Sequence, residues 1–257
     1  MIKGLKIGGE CMKNILVEVC CESVQDCIIA EQYQADRIEL NCALHLGGLT
    51  PSIGVLTEAK KKVNIPIITM VRSRGGGFHY TEEEIAAMLV DAKTLIQNGA
   101  DGLVFGFLNQ DSTINTKRTK QFVEICKAAG VEAVFHRAFD LVQDPREAIE
   151  SLIACGINRI LTSGLEESAL EGRASLKMLM EAYGSQIEIC AGAGINASNV
   201  TQLIKEGKVV QVHGSFKAWF RDSTTSNAKV SYAYSEHGDY EGVDSTKLAE
   251  MMQILRK

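Results

Sequence analysis

From residue 14 onward the chain repeats one pattern: a short β-branched apolar run, a loop rich in Gly or polar residues, then a stretch whose apolar positions recur with helical spacing. The apolar runs are Ile15 to Cys20, Arg37 to Leu40, Ile67 to Val71, Gly102 to Phe107, Val131 to His136, Arg159 to Leu161, Gln186 to Cys190 and Val209 to His213. They predict eight strands separated by helices. Helix starts are marked by Thr81 ahead of three glutamates and by Asp144-Pro145, because a side-chain oxygen caps free N–H groups and Pro fits a first turn. Helix ends are marked by Gly99, Gly130, Gly156 and Gly207, each just ahead of a strand.

Strands that alternate with helices pair in parallel through right-handed crossovers, with helices covering the sheet. Eight such units in about 250 residues is the size of one TIM (β/α)8 barrel. A doubly wound open sheet is the alternative. The barrel is preferred because charged residues sit at several separate strand ends, whereas an open sheet gathers its ligand contacts at one switch point. The predicted organisation is therefore an N-terminal extension over 1–13 and a single α/β barrel domain over 14–257. Gly8-Gly9-Glu10 ahead of Met12 is compatible with a translated ribosome-binding leader, which makes Met12 the expected natural start. The eighth unit is irregular. A polar segment over 222–244 follows it, read as either a lid or a poorly ordered loop, before a last helix from Ser245 to about Leu255.

Parity along each run assigns the interior faces. Leu16, Glu18 and Cys20 share a face, as do Arg37, Glu39 and Asn41; Ile68, Met70 and Arg72; Val134 and His136; Gln211 and His213. This brings acids, arginines and imidazoles around one axis, where buried charges must compensate one another. Such clusters are where shifted pKa values and function gather. Glu39, Arg72 and His136 are the catalytic candidates, Glu39 and His136 for acid/base work; a structural ion-pair layer closing the barrel is the other reading.

Two glycine-rich segments suggest anion binding. Arg72 to Tyr80 carries Arg72, Arg74 and three glycines, and a guanidinium fork suits carboxylate or phosphate. Gly192, Gly194 and Asn196 precede a predicted helix near Ala197 or Ser198, with His213 and Ser215 as the facing wall. Phosphate sites in barrels favour this region.

Composition narrows the field of partners. A net charge of −5 with no basic block argues against nucleic acid or an anionic membrane as the main partner. No signal peptide precedes the chain's eight cysteines and the apolar runs are too short to cross a bilayer, so a cytoplasmic location is expected, with thiols reduced. Self-association is left open. Cys20 lies at a strand end and suits a soft ion such as Cu(I). Cys21 faces the other way, and Cys27, Cys126 and Cys155 fall in helical runs where core packing is expected. Cys42 does not share the face of Glu39 if its strand continues that far.

Taken in order, Val17-Glu18-Val19-Cys20, Ala35 to Leu40, Gly47 to Ser52, Met70 to Tyr80, Ala100 to Gly106, Phe135 to Asp140, Arg159 to Gly164 and Ala169 to Gly172 resemble the CutC family, named for copper homeostasis. The resemblance covers about residues 14 to 216 and implies a TIM barrel, a cytoplasmic protein and copper, expected as Cu(I), as ligand, with no organic cofactor. It implies Cys20 as a ligand. The family's Cys after the second strand is Asn41 in this chain, with Cys42 one place later as the candidate second ligand. A barrel enzyme acting on a small anionic, phosphorylated or sugar-like substrate is the competing reading: Arg72 would hold the anion while Glu39 and His136 moved protons.

Overall fold

A computed structural model describes residues 5–7, 10–12 and 15–256, the first two segments by their backbone. Strands β3 (Leu16–Cys21), β4 (Arg37–Leu40), β5 (Ile67–Met70), β6 (Gly102–Phe105), β7 (Glu132–Phe135), β8 (Arg159–Thr162), β9 (Glu188–Ala191) and β10 (Gln211–Gly214) are all parallel. They close in the order β10-β3-β4-β5-β6-β7-β8-β9, which is a TIM barrel. The open-sheet alternative is thereby excluded. Helices α1 (Val24–Gln32), α2 (Ile53–Lys60), α3 (Glu82–Gln97), α4 (Thr116–Ala129), α5 (Pro145–Cys155), α6 (Arg173–Tyr183), α7 (Val200–Gly207) and α8 (Ser245–Leu255) surround it.

Ahead of the barrel, β1 (Leu5–Ile7) and β2 (Glu10–Met12) pair with each other in a separate antiparallel hairpin. The other positions of the expected 1–13 extension lie outside the described residues.

Local chemistry explains the boundaries. Thr81 accepts from the Glu84 backbone while Glu84 reaches back to the Thr81 backbone, a complete capping box for α3. Asp144 caps α5 with Pro145 in its first turn. Gly130 and Gly156 end α4 and α5 in the left-handed region. The expectation at Gly207 differs: that glycine is the last residue of α7, and Lys208 takes the left-handed position at φ 58°. The same helix begins at Val200, two or three residues later than its sequence suggests, because Asn196 to Asn199 form a side-chain-bonded turn first.

The 222–244 segment belongs to a two-stranded arm. Strand β11 (Lys217–Phe220) pairs antiparallel with β12 (Tyr240–Val243), making an arm that leaves the barrel after β10. The arm returns over the barrel mouth, where Tyr234 packs on His45 with ring centroids 4.9 Å apart.

Outward-facing strand residues and the helices form the large apolar core, which includes Cys21 and Cys27. Inside the barrel, Ile68, Met70, Val104 and Val134 form a second, small apolar cluster on β5, β6 and β7. Most of the remaining inward positions are polar, with Leu161 and Cys190 among the exceptions.

Candidate functional site

The strand register builds the polar half. Glu18 of β3 lies opposite Arg37 of β4 on one side and His213 of β10 on the other, and Cys20 lies opposite Glu39. Because these residues are on the same pleat phase, all five point inward. The Glu18 carboxylate pairs with Arg37 Nε through one oxygen and with His213 Nδ1 at 2.8 Å through the other. Arg37 also donates to Gln211 Oε1 at 3.0 Å, and Gln211 donates to Glu188 at 2.7 Å. Arg159 of β8, almost fully buried, closes the ring against Glu132 at 2.8 Å and Glu188 at 3.4 Å. Burial alone would raise the Glu18 carboxyl, but Arg37, the His213 bond and Arg159 hold it well below the usual carboxylate range.

Above this ion-pair layer, toward the C-terminal ends of the strands, lies a thiol. Cys20 Sγ, a Glu39 carboxylate oxygen and a His213 ring nitrogen all lie within 4.8 Å of one another, a donor set able to hold a metal ion. Asn41 Nδ2 donates to Cys20 Sγ at 3.2 Å and to Glu39 Oε1 at 3.0 Å, fixing both. Burial, reinforced by the nearby Glu39 and Glu18 charges, pushes the Cys20 thiol well above its ordinary value. Burial likewise raises Glu39, with His213 opposing. For His213, burial would lower the pKa, but Glu39 and Glu18 outweigh it and the net shift is upward. Glu18 on Nδ1 orients the imidazole so that Nε2 is the nitrogen left for a ligand, the carboxylate–histidine arrangement of metal sites.

Cys42 is placed elsewhere. Its sulfur donates to the Thr50 carbonyl at 3.1 Å, and it lines a separate cavity of about 480 Å³ with Glu22, Thr50 and Asp91.

The two expected anion segments differ in fate. Arg72 is buried, and its terminal nitrogens donate to the carbonyls of Leu46, Gly47, Gly48 and Gly76 at 2.7 to 3.2 Å, so it ties two loops together. Arg74 pairs with Glu84 and donates to three further carbonyls. His136 accepts from the Ala138 N–H through Nδ1. Burial, then the Arg72 charge, lower its pKa to about 3, so it is a neutral imidazole. It stands apart from Glu39, whose contacts are with Cys20 and Asn41.

After β9, Gly194, Asn196 and Ser198 line a cavity of about 680 Å³ with Ser215, Lys217 and Lys247. Gly192 lies deeper, against Leu161 and His213. His213 itself belongs to the Glu18 and Cys20 cluster rather than to that cavity.

Arg159 and Asn41 are the residues whose importance the sequence understated. Parity within Arg159 to Leu161 would have put Arg159 on an inward face, and Asn41 already shared a face with Glu39.

Residues 15–218 match the CutC family. A CutC family protein of Treponema denticola is 41% identical over 95% of this chain and 99% of its own length. The human copper homeostasis protein cutC homolog is 42% identical over 82% of this chain and 76% of its own. A CutC crystal structure from Streptococcus agalactiae superposes with a TM-score of 0.73 at 34% identity, covering 78% of this chain and 98% of that one. The barrel, its order and these matches agree, and the chain belongs to the CutC family of copper homeostasis proteins.

Proposed function

We propose that this protein binds copper as Cu(I), with the Cys20 thiolate and His213 Nε2 as its ligands and Glu39 as the acceptor of the thiol proton. The observation that carries the reading is the convergence of Cys20, Glu39 and His213 within 4.8 Å. Metal–sulfur and metal–nitrogen bonds of about 2.3 and 2.1 Å would together reach ~4.4 Å, comparable to the 4.8 Å within which these donor atoms lie.

The chemistry suits a soft ion. Sulfur and imidazole are preferred donors for Cu(I), whereas a carboxylate is a hard oxygen and better suited to holding a proton. The thiol is protonated without metal because burial raises it, so entry of the ion requires the S–H bond to break. Glu39 Oε1 lies 3.9 Å from Sγ and takes that proton as the S–Cu bond forms. The negative charge of the thiolate is then offset by the ion and by the arginines below.

Cys42 has no share in this site, since its sulfur is engaged with Thr50. The free state of Cys20, Cys21, Cys27, Cys42, Cys126, Cys155 and Cys190 supports a reducing, cytoplasmic setting. No helix among the described residues is long and apolar enough to cross a membrane.

The test is titration of the reduced protein with Cu(I) against a competing chelator. One equivalent should bind, with affinity at least about tenfold weaker in Cys20→Ser and weakened also in His213→Gln. Uptake by Cys20→Ser equal to that of the unmodified chain would overturn the assignment.

A further inference from the structure

On the other side of the barrel mouth, three buried donors have no acceptor. Four carbonyls engage the two terminal nitrogens of the Arg72 guanidinium, but its Nε–H is buried and unpartnered. His136 Nε2 is likewise buried and unpartnered. Since the Ala138 N–H points at Nδ1, the ring proton resides on Nε2, which is therefore a donor. The Tyr80 hydroxyl is the third orphan, and it lies close enough to Arg72 for that charge to oppose the effect of burial on the phenol. Buried polar groups are nearly always satisfied, so three orphans in one region call for an explanation.

Their chemistry is one-sided. All three can donate, and no carboxylate among the described residues pairs with Arg72, although Arg72 is only 5% exposed. A buried cation without a counter-ion is costly. The missing complement is an acceptor carrying negative charge.

The backbone is arranged to let these groups share a space. A Cβ on Gly106, at the end of β6, would lie 2.3 Å from His136 Cε1, so this glycine is what allows the imidazole to lie across β6 toward the β5 side and Arg72. Phe78 covers both groups: its ring centroid is 4.9 Å from Arg72 Cζ and 4.7 Å from the His136 ring centroid. It follows Gly75, Gly76 and Gly77, and a side chain at Gly77 would meet nothing within 4 Å. The backbone on both sides is tied by Arg72, Arg74 and the Leu108 N–H, so the part that can swing aside is the Phe78 ring itself.

We propose that Arg72 Nε, His136 Nε2 and the Tyr80 hydroxyl form a binding site for the anionic oxygen of a small molecule, a carboxylate or phosphoryl group, which enters beneath Phe78. The site is independent of the Cu(I) reading, because none of its three donors is part of the Cys20 cluster.

The experiment follows the His136 ring nitrogens by long-range proton–nitrogen NMR while the full chain is titrated with inorganic phosphate and, separately, with acetate at matched ionic strength. A saturable Nε2 shift with either anion is expected, and the anion that produces it identifies the group. His136→Asn retains an oxygen where Nδ1 accepts from Ala138 but lacks the distal donor. Calorimetry should show it binding the same anion about tenfold more weakly, equivalent to ~1.4 kcal/mol. Phe78→Ala, which removes the cover, should bind more tightly. No saturable response to either anion in both the unmodified chain and Phe78→Ala, or equal affinity in His136→Asn, would overturn the proposal.

Discussion

The two halves of the barrel interior are built on opposite principles. Around β10, β3 and β4, and continuing through β8 and β9, the inward positions carry Glu18, Arg37, Glu39, Arg159, Glu188, Gln211 and His213, every one engaged with another. Around β5, β6 and β7 they carry mainly Ile68, Met70, Val104 and Val134, which form one apolar cluster, while Glu132 at the start of β7 reaches across to Arg159. The first half is held by complementarity, so removing one member strands its partners. The second is held by volume, so it tolerates exchange of one apolar shape for another. The shifted thiol and imidazole lie where the compensation is, because a buried charged cluster can set their pKa values while an apolar cluster cannot.

The sharpest way to break that contrast is Glu18→Ala. It leaves Arg37 and Arg159 facing each other without their shared acid, and a loss of about 3–5 kcal/mol is expected in urea unfolding. A loss below about 1 kcal/mol would mean that the ion-pair layer is dispensable.

Next in size is the pH dependence of the two histidines, which carry opposite signs. His136 is lowered from 6.5 to about 3 in the folded state, so the stability linked to it is full above 6.5 and falls as acid is added. Within that window the slope approaches ~1.4 kcal/mol per pH unit. His213 is raised above 6.5, so its contribution is full below 6.5 and is lost as pH climbs through the folded-state value. His136→Asn should flatten the acid limb of metal-free stability, and His213→Gln the limb above 6.5. Unfolding curves collected across the pH range would show each limb directly, and unchanged limbs would contradict the burial and charge environments described for these rings.

A smaller effect is expected at Met70→Leu. The swap conserves volume in the apolar half, so it should cost less than about 1.5 kcal/mol and leave Cu(I) uptake unaltered. Reduced uptake would bring the thioether into the metal site. Smallest of all, Cys42→Ser should leave both stability and Cu(I) affinity nearly unchanged, because a hydroxyl can keep the bond to Thr50.

Much of this division was legible in the sequence. Alternation alone assigned Glu18, Cys20, Arg37, Glu39, Ile68, Met70 and His213 to the interior, because a strand has a fixed period of two and a barrel has one inside. The family pattern pointed to Cys20. What parity could not show was which inward residues meet across the barrel: His213 looked like the wall of an anion turn until the closing of β10 on β3 set it beside Glu18 and Cys20. Arg72 and Arg74 looked like free forks because a sequence does not show where backbone carbonyls point. The polar segment over 222–244 hid a paired arm for a similar reason, since one strand of the pair precedes it and only its far end has strand character.

The contact between Glu18 and His213 joins positions 195 residues apart, on the first and last strands of the barrel. During synthesis Glu18 and Arg37 leave the ribosome early, and His213 arrives only with the final strand. Contacts this distant in sequence form late, after the entropy of closing the whole chain has been overcome. The donor set of Cys20, Glu39 and His213 is therefore incomplete in any chain whose barrel has not closed, so nascent or truncated products lack it.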